Sequence, residues 1–359
     1  MSSLPATGPV ARLRWAGTQL IVRAGGVGGA VVILAALVLG FSLASPDFFS
    51  LDNLLNILRQ YSVLLILAVG QTLVIIAAGI DLSVAATAAL SGSMMGVAYA
   101  HLGLPSPVAI GLGLLAGFAV GLFNGLAITR WRVPDIIVTL GSLTAVRGVA
   151  LLITGGLPVP DFAQSVDDRR MPPVVSELGS GRVAGIPLII FVAAACCLVG
   201  WLVLTRTRLG RSIVAVGGNA EAARVSGIDV RRTKLLVYVI SGLLAAVGGM
   251  VLAGRLGSAN ALMGELMELD TIAAVVIGGT ALFGGEGRIS GTVIGVFILG
   301  VLGNGLNILG VSDFWQRVVT GLIIVVVVAV DQWRRRAATR EVARNRAGTE
   351  PEQAVEVDR

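Results

Sequence analysis

The chain has 359 residues, of which 55% are hydrophobic and only 13% charged, with a net charge of +6. A soluble domain carries roughly a quarter charged residues, so this composition excludes an ordinary soluble protein and points to lipid. The positive charge comes without basic clusters interleaved with aromatics, which excludes a nucleic-acid binder, and the 48 glycines suit closely packed transmembrane helices.

A spanning helix needs about 20 apolar residues. Ten runs are predicted to span, in chain order 27–45, 61–79, 83–101, 107–128, 135–153, 186–204, 235–254, 271–283, 290–309 and 314–331. The first is long for the apolar core of a cleavable signal peptide, although Ser42-Leu43-Ala44 loosely resembles a cleavage site. The eighth is short and Gly-rich, which predicts a broken or re-entrant element. Ten spans put both termini on one side. Segments on that side hold most of the 27 Lys and Arg residues, whereas the opposite loops hold only Arg59, Arg169, Arg170, Arg182 and Arg255. The positive-inside rule then predicts both termini in the cytoplasm. The expected fold class is an all-α polytopic membrane protein with about ten spans. It comprises a cytoplasmic segment 1–26, a transmembrane domain 27–331 with a cytoplasmic loop 205–234, and a polar, disordered cytoplasmic tail 332–359. The outer loop 154–185, rich in Pro and charge, is expected to be solvated with one short helix. GLFNGLAI (121–128) ends the fourth span and VLGNGLNI (301–308) ends the ninth. The two spans run in opposite directions, as inverted repeats require.

Several chemistries lack material. His101 is the only His, and Cys196 and Cys197 are adjacent in an apolar run, so neither a metal site nor a disulfide framework is expected. Lys234 is the only Lys and follows Thr233, so no phosphate-binding Gly-Lys-Ser/Thr loop exists. No nucleophile–His–acid set is available, and Ser83, Ser91 and Ser93 read as helix-packing hydroxyls. Catalysis and nucleotide hydrolysis by this chain are therefore not expected.

Polar residues inside spans are costly and are functional candidates by default. Asp81 stands between two spans with almost no linker; Gly79 would permit the sharp break, and Asp81 with Ser83 would cap the third span. Glu268 and Asp270 precede the eighth span, to cap it or face a substrate entrance. Gln71, Asn124, Thr139, Ser142, Asn304 and Asn307 are neutral groups that suit a path for a hydroxyl-rich solute, with helix–helix hydrogen bonding as the plainer role of each Asn. The glycines of 278–287 predict discontinuous helix and close backbone approach. Arg147, within the fifth span, needs a partner that the sequence does not name.

The cytoplasmic loop is the most telling stretch. Gly217-Gly218-Asn219 signals a turn. Glu221-Ala222-Ala223-Arg224-Val225 is strongly helix-forming with its acid in the first turn, and Gly227 stops it. Two turns are too short to be stable alone in water, so this helix, with Ala222, Val225 and Ile228 on one face, needs something to pack against.

Glu-Ala-Ala, three residues, then Gly resembles the EAA motif of ATP-binding-cassette importer permeases. GRSIVAVGGNAEAARVSGIDV, AAGIDLSV (77–84), VPDIIVTLGS (133–142), ELMELDTIAAVVIGGTALFGGEGRISGT (265–292) and GNGLNILGVSDFWQRVVTG (303–321) resemble the monosaccharide branch. That branch serves ribose, xylose, arabinose, galactose, rhamnose and autoinducer-2. The resemblance covers about residues 45–331. It implies a bacterial inner-membrane permease whose coupling helix, through Gly218, Asn219, Glu221, Ala222, Ala223 and Gly227, docks on a separate ATPase subunit. It also implies a second permease chain, identical or paralogous, an extracytoplasmic sugar-binding protein, and no cofactor on this chain, ATP being used by the partner. Many relatives carry PPFI or APFI where this chain has Val133-Pro134-Asp135-Ile136, and Asp135 would favour the helix dipole there. The competing readings are a secondary transporter with inverted repeats, or an ATP-binding-cassette permease for nucleosides or branched-chain amino acids.

Overall fold

The computed structural model describes residues 27–322 apart from 162–165, 167, 168, 313, 317 and 320. The segment 1–26, the tail 332–359 and most of the expected span 314–331 lie outside the described residues. The chain divides into two units, Met1–Val311 and Ser312–Arg359. In the second, residues 314–316, 318, 319, 321 and 322 are helical; the architecture that follows is that of the first.

Twelve helices are described there. They are α1 (Val27–Ala44), α2 (Leu51–Ile76), α3 (Val84–Gly96, continued by a π-helical turn Val97–His101), α4 (Ser106–Arg130), α5 (Asp135–Thr154) and α6 (Pro173–Ser180). After a hairpin of β1 (Arg182–Val183) and β2 (Ile186–Pro187) come α7 (Leu188–Arg206), α8 (Arg208–Gly218), α9 (Ala220–Val225), α10 (Val230–Leu256), α11 (Met267–Ile277) and α12 (Ile289–Ile308). Prolines set several entries: Pro105, Pro134, Pro172 and Pro187 stand immediately before α4, α5, α6 and α7, where the fixed ring cannot extend a preceding helix.

Among the described residues, α2, α4, α5, α7, α10 and α12 are long and apolar enough to cross a membrane. The expected span 61–79 begins ten residues earlier, at Leu51, because Ser50 caps α2 by accepting from Asn53 N at 3.2 Å. The expected eighth span is the short α11, which stops before Gly278-Gly279. The loop 154–185 carries the expected short helix as α6.

The helices differ in depth. The apolar part of α2 is 83% buried and those of α10 and α12 are 61% buried, against 22% for α4 and α7. So α2, α10 and α12 are the most enclosed spans, and α4 and α7 present apolar outer faces such as Leu115, Phe118, Phe123, Leu198 and Val199. Small residues bring α4 onto α10. Gly113, Gly117, Gly121 and Gly125 lie four apart on one face of α4, and a Cβ at each would strike Met250, Gly242, Tyr238 or Leu235 of α10. This is the close-packing solution open to helices that gain nothing by leaving lipid for one another.

Candidate functional site

Between α2 and α3 the chain unwinds over residues 77–83. Ala78 there has φ +54°, a left-handed conformation costly for a residue with a side chain. Gly79 is required for a different reason from the one its break suggested. A Cβ on it would lie 2.7 Å from both the Asp135 carboxylate and the Tyr238 hydroxyl. Ala78 makes the turn, and Gly79 makes room.

Buried polar groups from four helices hold this segment. Asp81 Oδ1 accepts from Ser83 N at 2.9 Å and from Ser83 Oγ at 2.6 Å, and its Oδ2 accepts from Ser241 Oγ of α10 at 2.9 Å. Ser83 Oγ in turn accepts from Asn124 Nδ2 of α4 at 2.9 Å, and Asn124 Oδ1 accepts from Ser142 Oγ of α5. The Gln71 amide, oriented to satisfy its neighbours, donates to Asp81 O at 3.1 Å and accepts from Asp81 N at 3.3 Å. Thr139 Oγ1 donates to Ile80 O at 3.2 Å. Every donor in the chain from Ser142 through Asn124 and Ser83 points toward Asp81, the arrangement that a buried carboxylate needs. The expected cap is realised one step removed: Asp81 precedes the N-cap Ser83, whose own side chain makes no cap bond. Of the ten intramembrane candidates, six (Gln71, Asp81, Ser83, Asn124, Thr139 and Ser142) thus meet at one place.

The N-terminal end of the same segment has a second clamp, which the sequence did not single out. Lys234 Nζ donates to Ala78 O at 3.2 Å and to Asp135 Oδ2 at 3.1 Å. The Tyr238 hydroxyl donates to the same carboxylate oxygen at 3.0 Å and lies 3.4 Å from Ile80 O. Lys234, Tyr238 and Ser241 follow at spacings of four and three, so one face of α10 grips residues 78–81 along their length.

The loop before α10 is two helices. α8 runs through Gly218 and ends at Asn219, whose Oδ1 accepts from Glu221 N at 3.0 Å and Ala222 N at 2.9 Å to open α9. The end of α8 touches the unwound segment: a Cβ on Gly217 would strike Ile76 O, which accepts from Gly285 N at 2.9 Å. Gly284 and Gly285 approach Ala78 and Gly218 equally closely, the backbone crowding expected of 278–287. α9 is shorter than the expected 220–228, ending at Val225. Ser226 caps it, and Gly227, at φ +83°, turns the chain into Asp229, which caps α10 through Arg232 N. Its packing face also differs. Ala223 is buried, while Glu221, Ala222, Arg224 and Val225 are exposed, Val225 at 83%. Glu221 and Arg224 pair at 2.7 Å, with both side chains in solvent.

The remaining candidates lie elsewhere. Asn304 of α12 and Asn53 of α2 exchange two amide hydrogen bonds of 2.9 Å, a helix–helix contact. Asn307 is exposed. Glu268 and Asp270, two residues apart in the first turn of α11, differ in burial: Glu268 is buried and Asp270 is half-buried. The partner of Arg147 is Glu265, at 3.5 Å. His101 Nε2 accepts from Asp161 N at 3.2 Å. Among the described residues no three His, Cys, Asp or Glu side chains come together as a metal site.

A family profile described as "Branched-chain amino acid transport system / permease component" matches residues 53–328. The ribose import permease protein RbsC of Haemophilus influenzae is 42% identical over 305 residues, covering 85% of this chain and 91% of its own. The protein of the same name from Escherichia coli K12 is 44% identical over 305 residues, with 84% and 91% covered. The xylose transport system permease protein XylH of Escherichia coli K12 is 34% identical over 359 aligned positions, with 85% and 91% covered. No solved structure matches the chain.

Proposed function

The chain belongs to the family of branched-chain amino acid transport system permease components, and from that premise we propose how its parts serve an ATP-binding-cassette importer for a monosaccharide or related small polyhydroxylated solute. It is a multi-pass permease subunit of the bacterial inner membrane and not itself an enzyme. A separate ATPase subunit uses the ATP, and an extracytoplasmic binding protein delivers the solute. The observation that carries the solute class is the match to ribose and xylose permeases over 91% of their length.

Coupling runs through α9. Its Ala222 and Val225, exposed in this chain alone, enter a groove of the ATPase subunit, and the Asn219 cap and Gly227 turn fix its ends. Closure of the ATPase pair shifts α9, and the short turn at 226–229 passes the shift to α10. Lys234, Tyr238 and Ser241 then carry it to the unwound segment and so to α2, α3 and α5. The motion exposes the path, lined between two permease copies, to the other side of the membrane. Both termini and α9 are cytoplasmic in this arrangement, with ten spans in all.

Proteoliposomes holding the chain, its ATPase subunit and its binding protein test this. Uptake of labelled D-ribose or D-xylose is expected only with ATP on the ATPase side. Uptake driven by an ion gradient alone, or of leucine in place of either sugar, would overturn the reading. For the docking role, Val225→Glu is expected to leave insertion and Tm unchanged while the ATPase subunit no longer co-purifies; retained co-purification and uptake would remove α9 from the interface.

A further inference from the structure

Arg147 is the one charge in the apolar part of α5. At 1.5 Å per residue it lies about 18 Å along the helix from Asp135, deep within a hydrocarbon layer about 30 Å thick. Its side chain is only 13% exposed, and its neighbours Val146 and Ala150 belong to an apolar cluster with Ala86, Leu90 and Ala261. One guanidinium nitrogen, Nη1, reaches Glu265 Oε1 at 3.5 Å, and the Glu265 side chain is itself 60% exposed. The other two, Nε and Nη2, are buried with no hydrogen-bond partner. Glu268, in the first turn of α11 and three residues beyond the Glu265 that Arg147 reaches, is buried. Its Oε2 is also buried without a partner. So two donors and one acceptor stand unused in the same charged neighbourhood. Buried polar groups are otherwise almost always satisfied, and a charged orphan is the most costly kind.

A polyhydroxylated solute is the natural complement. Each hydroxyl is both donor and acceptor. Adjacent hydroxyls on a sugar can take the planar fork of a guanidinium through their oxygens and give protons to a carboxylate. The opposite charges of Arg147 and Glu268 balance each other, so an uncharged solute satisfies both without bringing a counterion. Glu265, at the exposed end, gives the guanidinium a place to return to once the solute has gone. We infer that Arg147 and Glu268 form a solute-contact site on the translocation path, binding adjacent hydroxyls of a polyhydroxylated solute when α5 and α11 part. This rests on the transport reading given above.

The test uses the complete reconstituted complex and whichever of D-ribose and D-xylose the wild type takes up, together with the monodeoxy analogues of that sugar. Arg147→Gln and Glu268→Gln are each expected to lower uptake of the parent sugar by about tenfold or more, since a site built to bind a hydroxyl discriminates strongly. The ATPase activity stimulated by the binding protein is expected to change by less than about two-fold, because binding-protein docking and ATPase coupling are untouched. For at least one deoxy analogue, the same for both variants, the loss is expected to vanish, because the contact is already missing. An equal loss with every analogue would assign the two residues to a structural ion pair and overturn the proposal, as would unchanged uptake. If either Gln variant fails to insert, Arg147→Lys and Glu268→Asp keep the charges and move the contact geometry, and the same analogue dependence decides. Wild-type complex that moves neither sugar would fail the transport reading, and the proposal with it; active wild type with indifferent variants would fail the proposal alone.

Discussion

The two buried charged regions of the bundle are built in opposite ways. Around Asp81 every side-chain donor finds an acceptor, and the carboxylate receives three hydrogen bonds, two from Ser83 and one from Ser241 of α10. Around Arg147 three buried atoms have no partner, and the one ion pair is long and half in solvent. Both regions bear the desolvation cost of a charge in an apolar interior. Only the first recovers it within the chain. A saturated network fixes geometry: it holds an unwound segment at one spacing from α4, α5 and α10. An unsaturated one leaves its binding capacity for something that arrives later.

The largest expected effect strikes the saturated region. Asp81→Ala strands two hydroxyls and a backbone N–H in the interior, and stranded buried donors to a charged acceptor cost about 3 kcal/mol together. The expected outcome is a fall in Tm of several degrees in detergent, read by tryptophan fluorescence, with loss of ATP-driven uptake. Asp81→Asn sharpens the point. Asn keeps one acceptor oxygen, and its amide can donate to Ser241 Oγ, so most of the Tm is expected to return. Full uptake in Asp81→Asn would show that shape, and not charge, is what the segment needs.

Much of that region was legible as a list but not as a site. The sequence picks out Gln71, Asp81, Ser83, Asn124, Thr139 and Ser142 because polar groups are conspicuous in apolar runs. It does not join them, because joining them requires the faces of α3, α4, α5 and α10 to be known together. Ser241 and Tyr238 escaped notice as ordinary residues of a long apolar helix. Their spacing from Lys234, the one Lys in the chain, was the signal that was available. Gly79 illustrates the reverse error. Its place before Asp81 suggests that it permits the sharp break, whereas the tight approach of Asp135 and Tyr238 is what excludes a side chain there, and Ala78 takes the unfavourable φ. The same limit applied to Glu268 and Asp270. A separation of two residues places them on different sides of a helix, and one is buried while the other is half-buried. The outer architecture was easier to read, because lipid-facing surfaces are set by composition: the faces of α4 and α7 need only be apolar, and they are.

An intermediate effect is expected at the edge of the saturated region. Lys234→Gln keeps a donor for Ala78 O or Asp135 but removes the charge that Asp135 pairs with, and both side chains are about a fifth exposed. A partly solvated pair contributes about 1 kcal/mol, so Tm should fall only slightly. The informative measurement is the number of ATP molecules hydrolysed per sugar imported. A rise in that ratio with unchanged ATPase co-purification would make Lys234 part of the link between α9 and the segment. An unchanged ratio would leave it a static clamp.

The smallest effect on stability is expected where the charge is most deeply orphaned. In the double variant Arg147→Gln, Glu268→Gln, two neutral amides replace a guanidinium and a carboxylate of similar length. Removing a charge that lacks partners removes its desolvation cost along with its few contacts, and such replacements are often neutral or stabilising. Tm is therefore expected to stay at or slightly above that of wild type, while uptake collapses as for the single variants. The contrast with Asp81→Ala is the decisive comparison. If both variants lost stability alike, Arg147 and Glu268 would be structural members of the bundle, their unpaired atoms filled by contacts that form in the assembled complex. If the double variant kept its stability and lost only transport, the unsatisfied pair would be set apart from the satisfied one by what it does to the solute.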